Sequence, residues 1–167
     1  MKTAFDMARL KSIPLILIVI FLFACGGGQS RIDRIKEQSK IEPTEAESDV
    51  PASERITLDE KGVGRIKDLP LPETIDQAMV DRGQAIFETN CSACHKIDKR
   101  FIGPSPKGIM KRRSPEWIMN MILDPQLMVE QDRCAKDLLI EFNGAAMANQ
   151  NMTEAQARDI LEYFRTL

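Results

Sequence analysis

The chain has one histidine, one tryptophan and one tyrosine in 167 residues, and aromatics make up only 5% of it. A single histidine rules out any site built from two imidazoles. Neither sign of charge dominates: 23 basic residues stand against 25 acidic ones, for a net charge of −2. That balance lacks the basic excess of a nucleic-acid binder. The C-terminal half shows no alternating apolar–polar pattern of the kind that marks strands, and the chain shows no internal repeat. No apolar run reaches the ~20 residues that a membrane-crossing helix requires. What remains is one small helical domain with appendages, at a hydrophobic content of 43% and a charged content of 29%, ordinary for a soluble globular chain.

The longest apolar run, from Ile13 to Ala24, follows Lys2, Arg9 and Lys11. Basic residues ahead of a short apolar stretch read as an export signal. The run closes on Leu22-Phe23-Ala24-Cys25, which resembles the lipobox of bacterial lipoproteins. That resemblance implies a signal peptide over residues 1–24 and lipid on Cys25. The protein would then be anchored to a membrane without spanning it, with its domain in the periplasm. The plainer reading is an ordinary signal peptide with a chance cysteine. Gly26-Gly27-Gly28 follow as a flexible exit.

Residues 25–73 read as a mostly disordered linker. From Gly26 to Glu73 there are 11 acidic and 8 basic residues, scattered Pro and Gly, and isolated apolar positions only. Such a segment buries too little apolar surface to offset its ordering entropy. As a flexible coil of its length it spans roughly 40 Å. Its last part, from Ile56 to Leu71, has enough Ile, Val and Leu to lie along the surface of a domain.

The domain is expected over residues 74–167, as about four helices joined by long loops. Thr74-Ile75-Asp76-Gln77 fits a capping box, and Met79, Val80, Gly83, Ile86 and Phe87 follow at helical spacing. A second helix opens at Ser114-Pro115-Glu116 and stops before Asp124-Pro125. A third covers Arg133 to Phe142 and ends at Asn143-Gly144. The last opens on the capping box Thr153 to Gln156, with Ala157, Ile160, Leu161 and Phe164 as its apolar stripe. A domain this small and loop-rich has a thin core, so something besides side chains is expected to fill its middle.

The sole histidine stands directly after a cysteine pair, in Cys91-Ser92-Ala93-Cys94-His95. Three chemistries compete for that motif. Zinc needs four ligands in paired clusters, and no second pair exists. A thiol redox pair belongs at a strand-to-helix junction, whereas a helix precedes this one. Covalent haem matches C-x-x-C-H directly: the thiols of Cys91 and Cys94 add to the vinyl groups, and His95 is held beneath the iron. An export signal agrees, because this attachment is made outside the cytoplasm.

With those residues in view, the stretch from about Asp76 to Leu167 resembles a class I monohaem cytochrome c. Gly83 and Phe87 match the family's first-helix face, which crosses the last helix at a stretch matched here by Ile160 to Phe164. Ile102-Gly103-Pro104 resembles the segment whose proline carbonyl accepts the proximal histidine's ring N–H. The resemblance implies an all-α cytochrome c-like fold and one covalent haem c, with electron transfer between respiratory partners rather than catalysis. Pro106 departs from the family pattern, in which an apolar residue such as Leu is common at that position.

His95 supplies one axial ligand, and a methionine is the natural second. Met147 and Met152 are the main candidates; Met110 and Met128 are the others. Met152 directly precedes the Thr153 cap, where an apolar residue packs on the fourth helical position, Ala157, as a staple. Met147 lies free in the loop, and the family's ligand spacing also selects it. Without a methionine ligand the sixth position is open, as in a haem enzyme or gas sensor; a thiol-redox lipoprotein is the remaining alternative. Lys96, Lys99, Arg100, Lys107, Lys111, Arg112 and Arg113 follow the motif with Asp98 as the single acid between them. They form either a docking face for an acidic redox partner or a solvated face with one Arg on a haem propionate. Trp117 either donates its indole N–H to a propionate or packs in the core. Cys134 reads as a small buried residue.

Overall fold

The computed structural model describes residues 49–167. Cys25 and the signal segment lie outside the described residues. Among the described residues there are five α-helices, α1 (Gln77–Asn90), α2 (Pro115–Leu123), α3 (Pro125–Gln131), α4 (Arg133–Glu141) and α5 (Glu154–Phe164), with a 3-10 turn at Ile109–Lys111. They contain no strand, only isolated bridges between Thr57 and Arg113 and between Lys96 and Lys99. The all-α expectation holds, with one more helix than the four expected.

Local chemistry sets most of the helix ends. The Ser114 side chain accepts from the Trp117 N–H, and Pro115 starts α2. Thr153 and Gln156 bond reciprocally at the start of α5. The extra helix, α3, arises because Asp124 ends α2 and at once caps the next helix, accepting from the Leu127 N–H. Asp132 does the same between α3 and α4, accepting from the Ala135 N–H. An Asp-Pro pair read only as a stop is therefore also a start.

The start of α1 differs from expectation. Asp76, not Thr74, is its cap, accepting from the Met79 N–H at 3.1 Å. The cause is tertiary. Glu162 of α5 accepts from the Asp76 backbone N–H at 3.0 Å, and Arg165 donates to the Pro72 carbonyl at 2.6 Å. The chain is thereby held until residue 76 and enters the helix there.

Helices α1 and α5 cross at Gly83, where any Cβ would fall on the Asp159 carbonyl. Arg82 clasps the Asp159 carboxylate with two bonds of 2.8 Å. Phe87 meets Phe164 edge-on, with ring centroids 5.8 Å apart. The two helices form one side of an apolar core that also takes Trp117, Ile118 and Ile122 of α2.

The stretch from Ile56 to Leu71 lies along the domain, as its Ile, Val and Leu suggested, and residues 52–55, read as disordered linker, join it. The described residues, 49–167, form one compact unit, and residues 52–71 form a strap across α2, α3 and α4. The strap is held by side chains of the helices. Asn120 bonds the Lys61 carbonyl and both backbone groups of Ile66, the Met128 sulfur accepts from the Val63 N–H, and Glu116 accepts from the Leu69 N–H. Low apolar content misleads here because the strap is ordered through its backbone groups, which composition does not report.

Candidate functional site

Cys91 ends α1, and its N–H still donates to the Phe87 carbonyl. The N–H groups of Cys94 and His95 both return to the Cys91 carbonyl, at 3.0 and 2.9 Å. This tight turn sets Cys91, Cys94 and His95 in the wall of one cavity of about 220 Å³. The chain then loops back, and the Gly103 N–H donates to the Cys94 carbonyl at 2.9 Å.

That return path fixes the histidine. Nδ1 of His95 lies 2.8 Å from the Pro104 carbonyl oxygen. A carbonyl only accepts, so Nδ1 carries the proton and Nε2 keeps its lone pair for a metal. Gly103 sits so close that a Cβ there would lie 2.5 Å from His95 Cε1. The loop is shaped around the ring.

The Cys91 thiol lacks the surroundings of a reactive thiolate. Among the described residues, no three His, Cys, Asp or Glu side chains converge on a point that could hold an ion. Burial, then the neighbouring Cys94, pushes the Cys91 thiol up rather than down. Reactive thiolates require the opposite shift. Cys134, at the start of α4, is buried in the core and lies outside the cavity wall.

The rest of the wall is mostly apolar and comes from all five helices, α3 giving only Val129, together with the 102–109 loop and the 145–152 loop. Met147 is half-buried in that wall. Met152 also touches it but is 9% exposed and packs in the core with Ala157. Met128 is fully buried, with its sulfur taken by the Val63 N–H. Met110 packs against the core outside the cavity wall.

Two arginines break the apolar lining. Arg113 is 3% exposed, donates to the carbonyls of Ala52, Arg55 and Arg112, and leaves its Nε without a partner. Arg112 donates to the Lys107 and Ser105 carbonyls at 3.0 and 3.2 Å, and burial, then Arg113, lowers its pKa. Neither forms an ion pair among the described residues. A cavity that is apolar around His95 and positive at one edge suits an apolar macrocycle with carboxylate arms. The sequence allowed one Arg of this run to serve a haem propionate, but nothing in a run of basic residues shows which of them turn inward.

Two other expectations change. The indole N–H of Trp117 donates to Asp132 at 3.1 Å, so it is not offered to a propionate; only the ring faces the cavity. The basic face shrinks because Arg113 is buried and Arg100 pairs with Glu141 at 2.7 Å while lying 3.9 Å from the Phe142 ring centre. Lys99, Lys107 and Lys111 are exposed, and Lys96 donates to the Ser92 carbonyl beside the Phe101 ring.

The family model "Cytochrome c" matches residues 80–167. A "Cytochrome c-553-like" protein of Synechocystis sp. is 45% identical over 47 residues, a stretch that spans 28% of this chain and 45% of that relative's length. The solved structure of a cytochrome c from Rhodothermus marinus superposes with a TM-score of 0.60 at 42% identity, covering 62% of this chain and 88% of that one. An engineered cytochrome c from Rhodothermus marinus bound to a carbene intermediate superposes with a TM-score of 0.57 at the same 42% identity, covering 62% of this chain and 88% of that one. The chain belongs to the cytochrome c family, a class I monohaem c-type member whose cavity takes one covalently attached haem c.

Proposed function

We propose that this protein is a lipid-anchored electron carrier of the bacterial periplasm, with His95 and Met147 as the two axial ligands of its haem iron. Haem c supplies the redox centre, taking up one electron from a donor and releasing it to an acceptor. The chain supplies everything else. Cys91 and Cys94 provide the thiols for attachment, and Pro104 and Gly103 hold the His95 ring with Nε2 unprotonated. The apolar wall excludes water, which keeps the environment of the iron similar in both charge states. The observation that carries the reading is that His95 is tied at Nδ1 while Met147 stands in the wall of the same cavity.

The docking face is smaller than the run of seven basic residues. Lys99, Lys107 and Lys111 are exposed on the segment that also exposes Phe101 (49%) and Ile102 (50%), just after the haem-attachment turn in the chain. Apolar contact with lysine on the same segment suits an acidic redox partner, with charge governing encounter rate. Charge reversal at Lys99 and Lys107 lowers the electron-transfer rate with an acidic partner protein at low salt, and the difference fades at high salt.

The ligand assignment has a direct test. Met147→Ala removes the weak near-infrared sulfur-to-iron band of the ferric protein, lowers the potential and opens the iron to carbon monoxide. Met152→Leu keeps the band, because Leu packs on Ala157 as Met does, at a cost under about 1.5 kcal/mol. A band that survives Met147→Ala and vanishes in Met152→Leu reverses the assignment. Carbon monoxide binding by the unmodified protein instead supports an open sixth position and a haem enzyme or gas sensor. For the anchor, Cys25→Ser abolishes lipid on the mature protein, read by mass spectrometry; lipid that persists refutes it.

A further inference from the structure

The strap offers an arrangement that electron carriage alone does not explain. Arg113 is almost completely buried in the cavity wall, and its acceptors are backbone carbonyls, not acids. The Ala52 carbonyl accepts at 2.5 Å, and the Arg55 carbonyl is a second acceptor from the same strap. Carbonyls solvate a guanidinium but leave its full charge in place. The charge is further confined by Trp117, whose ring centre is 5.2 Å from the guanidinium carbon.

The strap is itself pinned around this point. The Thr57 N–H donates to the Arg112 carbonyl at 2.8 Å, and Arg55 pairs with Asp137 at 2.8 Å. Ser53 bonds both oxygens of Glu141 through its N–H and hydroxyl, each at 2.7 Å, and lines the cavity as well. Ser53 thus adds to the cavity wall, and the strap's Ala52 and Arg55 carbonyls hold the Arg113 guanidinium in that wall.

We infer that the strap, through the Ala52 and Arg55 carbonyls, positions Arg113 as a buried positive charge beside the haem, and that docking of the strap raises the reduction potential. A fixed positive charge disfavours the ferric state, which carries one more positive charge than the ferrous. With the strap released, water reaches Arg113 and screens it. The residues of the strap are positioning residues that act through Arg113. The inference rests on haem in this cavity and not on the identity of the distal ligand or the partners.

The test uses the full-length holoprotein and a double-mutant cycle. Ser53→Ala with Arg55→Gln and Asp137→Asn removes the side-chain pins, the Ser53 hydroxyl bond and the Arg55–Asp137 pair, at unchanged net charge and loosens the strap. Arg113→Gln removes the charge, and Arg113→Met serves in its place if the Gln variant does not fold. Two quantities are read, hydrogen exchange at the Thr57 amide and the potential by redox titration. The expected result is faster exchange and a lower potential in the strap variant, a lower potential without Arg113, and no further fall when both changes are combined. An unaltered Thr57 amide, an unaltered potential in either variant, or an equal strap effect with and without Arg113 overturns the proposal. Failure of the haem reading shows separately, as unmodified protein without covalent haem.

Discussion

Replacing Gly103 by alanine tests how the protein holds its histidine. Gly103 does not have a positive φ, so alanine suits its backbone and the cost is steric. The new Cβ would lie 2.5 Å from Cε1, 2.8 Å from Nδ1 and 3.0 Å from Nε2 of His95. Carbon atoms in contact prefer about 3.5–4.0 Å, so the ring must retreat by roughly 1 Å. Overpacking of this kind costs roughly 1–3 kcal/mol. The retreat also breaks the 2.8 Å bond from Nδ1 to the Pro104 carbonyl, adding about 1 kcal/mol. The total is roughly 2–4 kcal/mol, which at a urea slope of about 2 kcal/mol per M lowers the midpoint by roughly 1–2 M. The assay is urea unfolding of the holoprotein followed at the haem absorbance, with a redox titration alongside. The potential should rise, since an imidazole without its carbonyl partner donates less to the iron. Gly108→Ala is the control: its φ is +65° and its only near neighbour is Arg112 at 3.5 Å, so it carries a backbone cost of about 1–2 kcal/mol and no change in potential. A Gly103→Ala protein with normal midpoint and potential would refute the reasoning.

Cys91→Ala or Cys94→Ala leaves at most one thioether and sharply reduces mature holoprotein, whereas Cys134→Ala does neither; full haem addition by mass spectrometry without the first two cysteines defeats the site. Asn120→Ala loses three bonds to the strap, from Ile66 N–H and to the Ile66 and Lys61 carbonyls, and should cost roughly 2–3 kcal/mol in the unfolding midpoint. A loss below about 0.5 kcal/mol, the scale of an ordinary surface change, would show that the strap contributes little. Burial pushes Glu162 up, but the Asp76 N–H and the guanidiniums of Arg165 and Arg158 outweigh it and leave its carboxyl below the ordinary glutamate range. A carboxylate with a depressed folded pKa adds stability that is present above its unfolded pKa and is lost as pH falls through the folded one. Glu162→Gln should therefore flatten the acid limb of stability measured by denaturation; an unchanged acid limb contradicts the role assigned to this cluster.

The chain's local chemistry determined much of this protein in advance. The caps at Ser114 and Thr153 and the stop at Asp124 act over three or four residues, so the residue types alone place those ends. The surroundings of His95 are local too: the motif turn and the Pro104 carbonyl lie within ten residues of one another. An N-cap, a tight turn and a return loop need no distant partner to be recognised. The rest was decided by partners far away along the chain. Asp76 rather than Thr74 starts α1 because Glu162 and Arg165 of α5 hold the preceding segment. The Ile, Val and Leu of residues 56–71 show that this stretch can lie along the domain, but where it lies is set by Asn120, Met128 and Glu116, which satisfy its backbone groups. In the basic run, Lys99 stays in solvent, Arg100 turns to Glu141 and Arg113 goes into the cavity wall. Charge is a property of each residue, but its exposure is set by what packs over it, and for Arg113 that is a strap nearly sixty residues earlier in the chain.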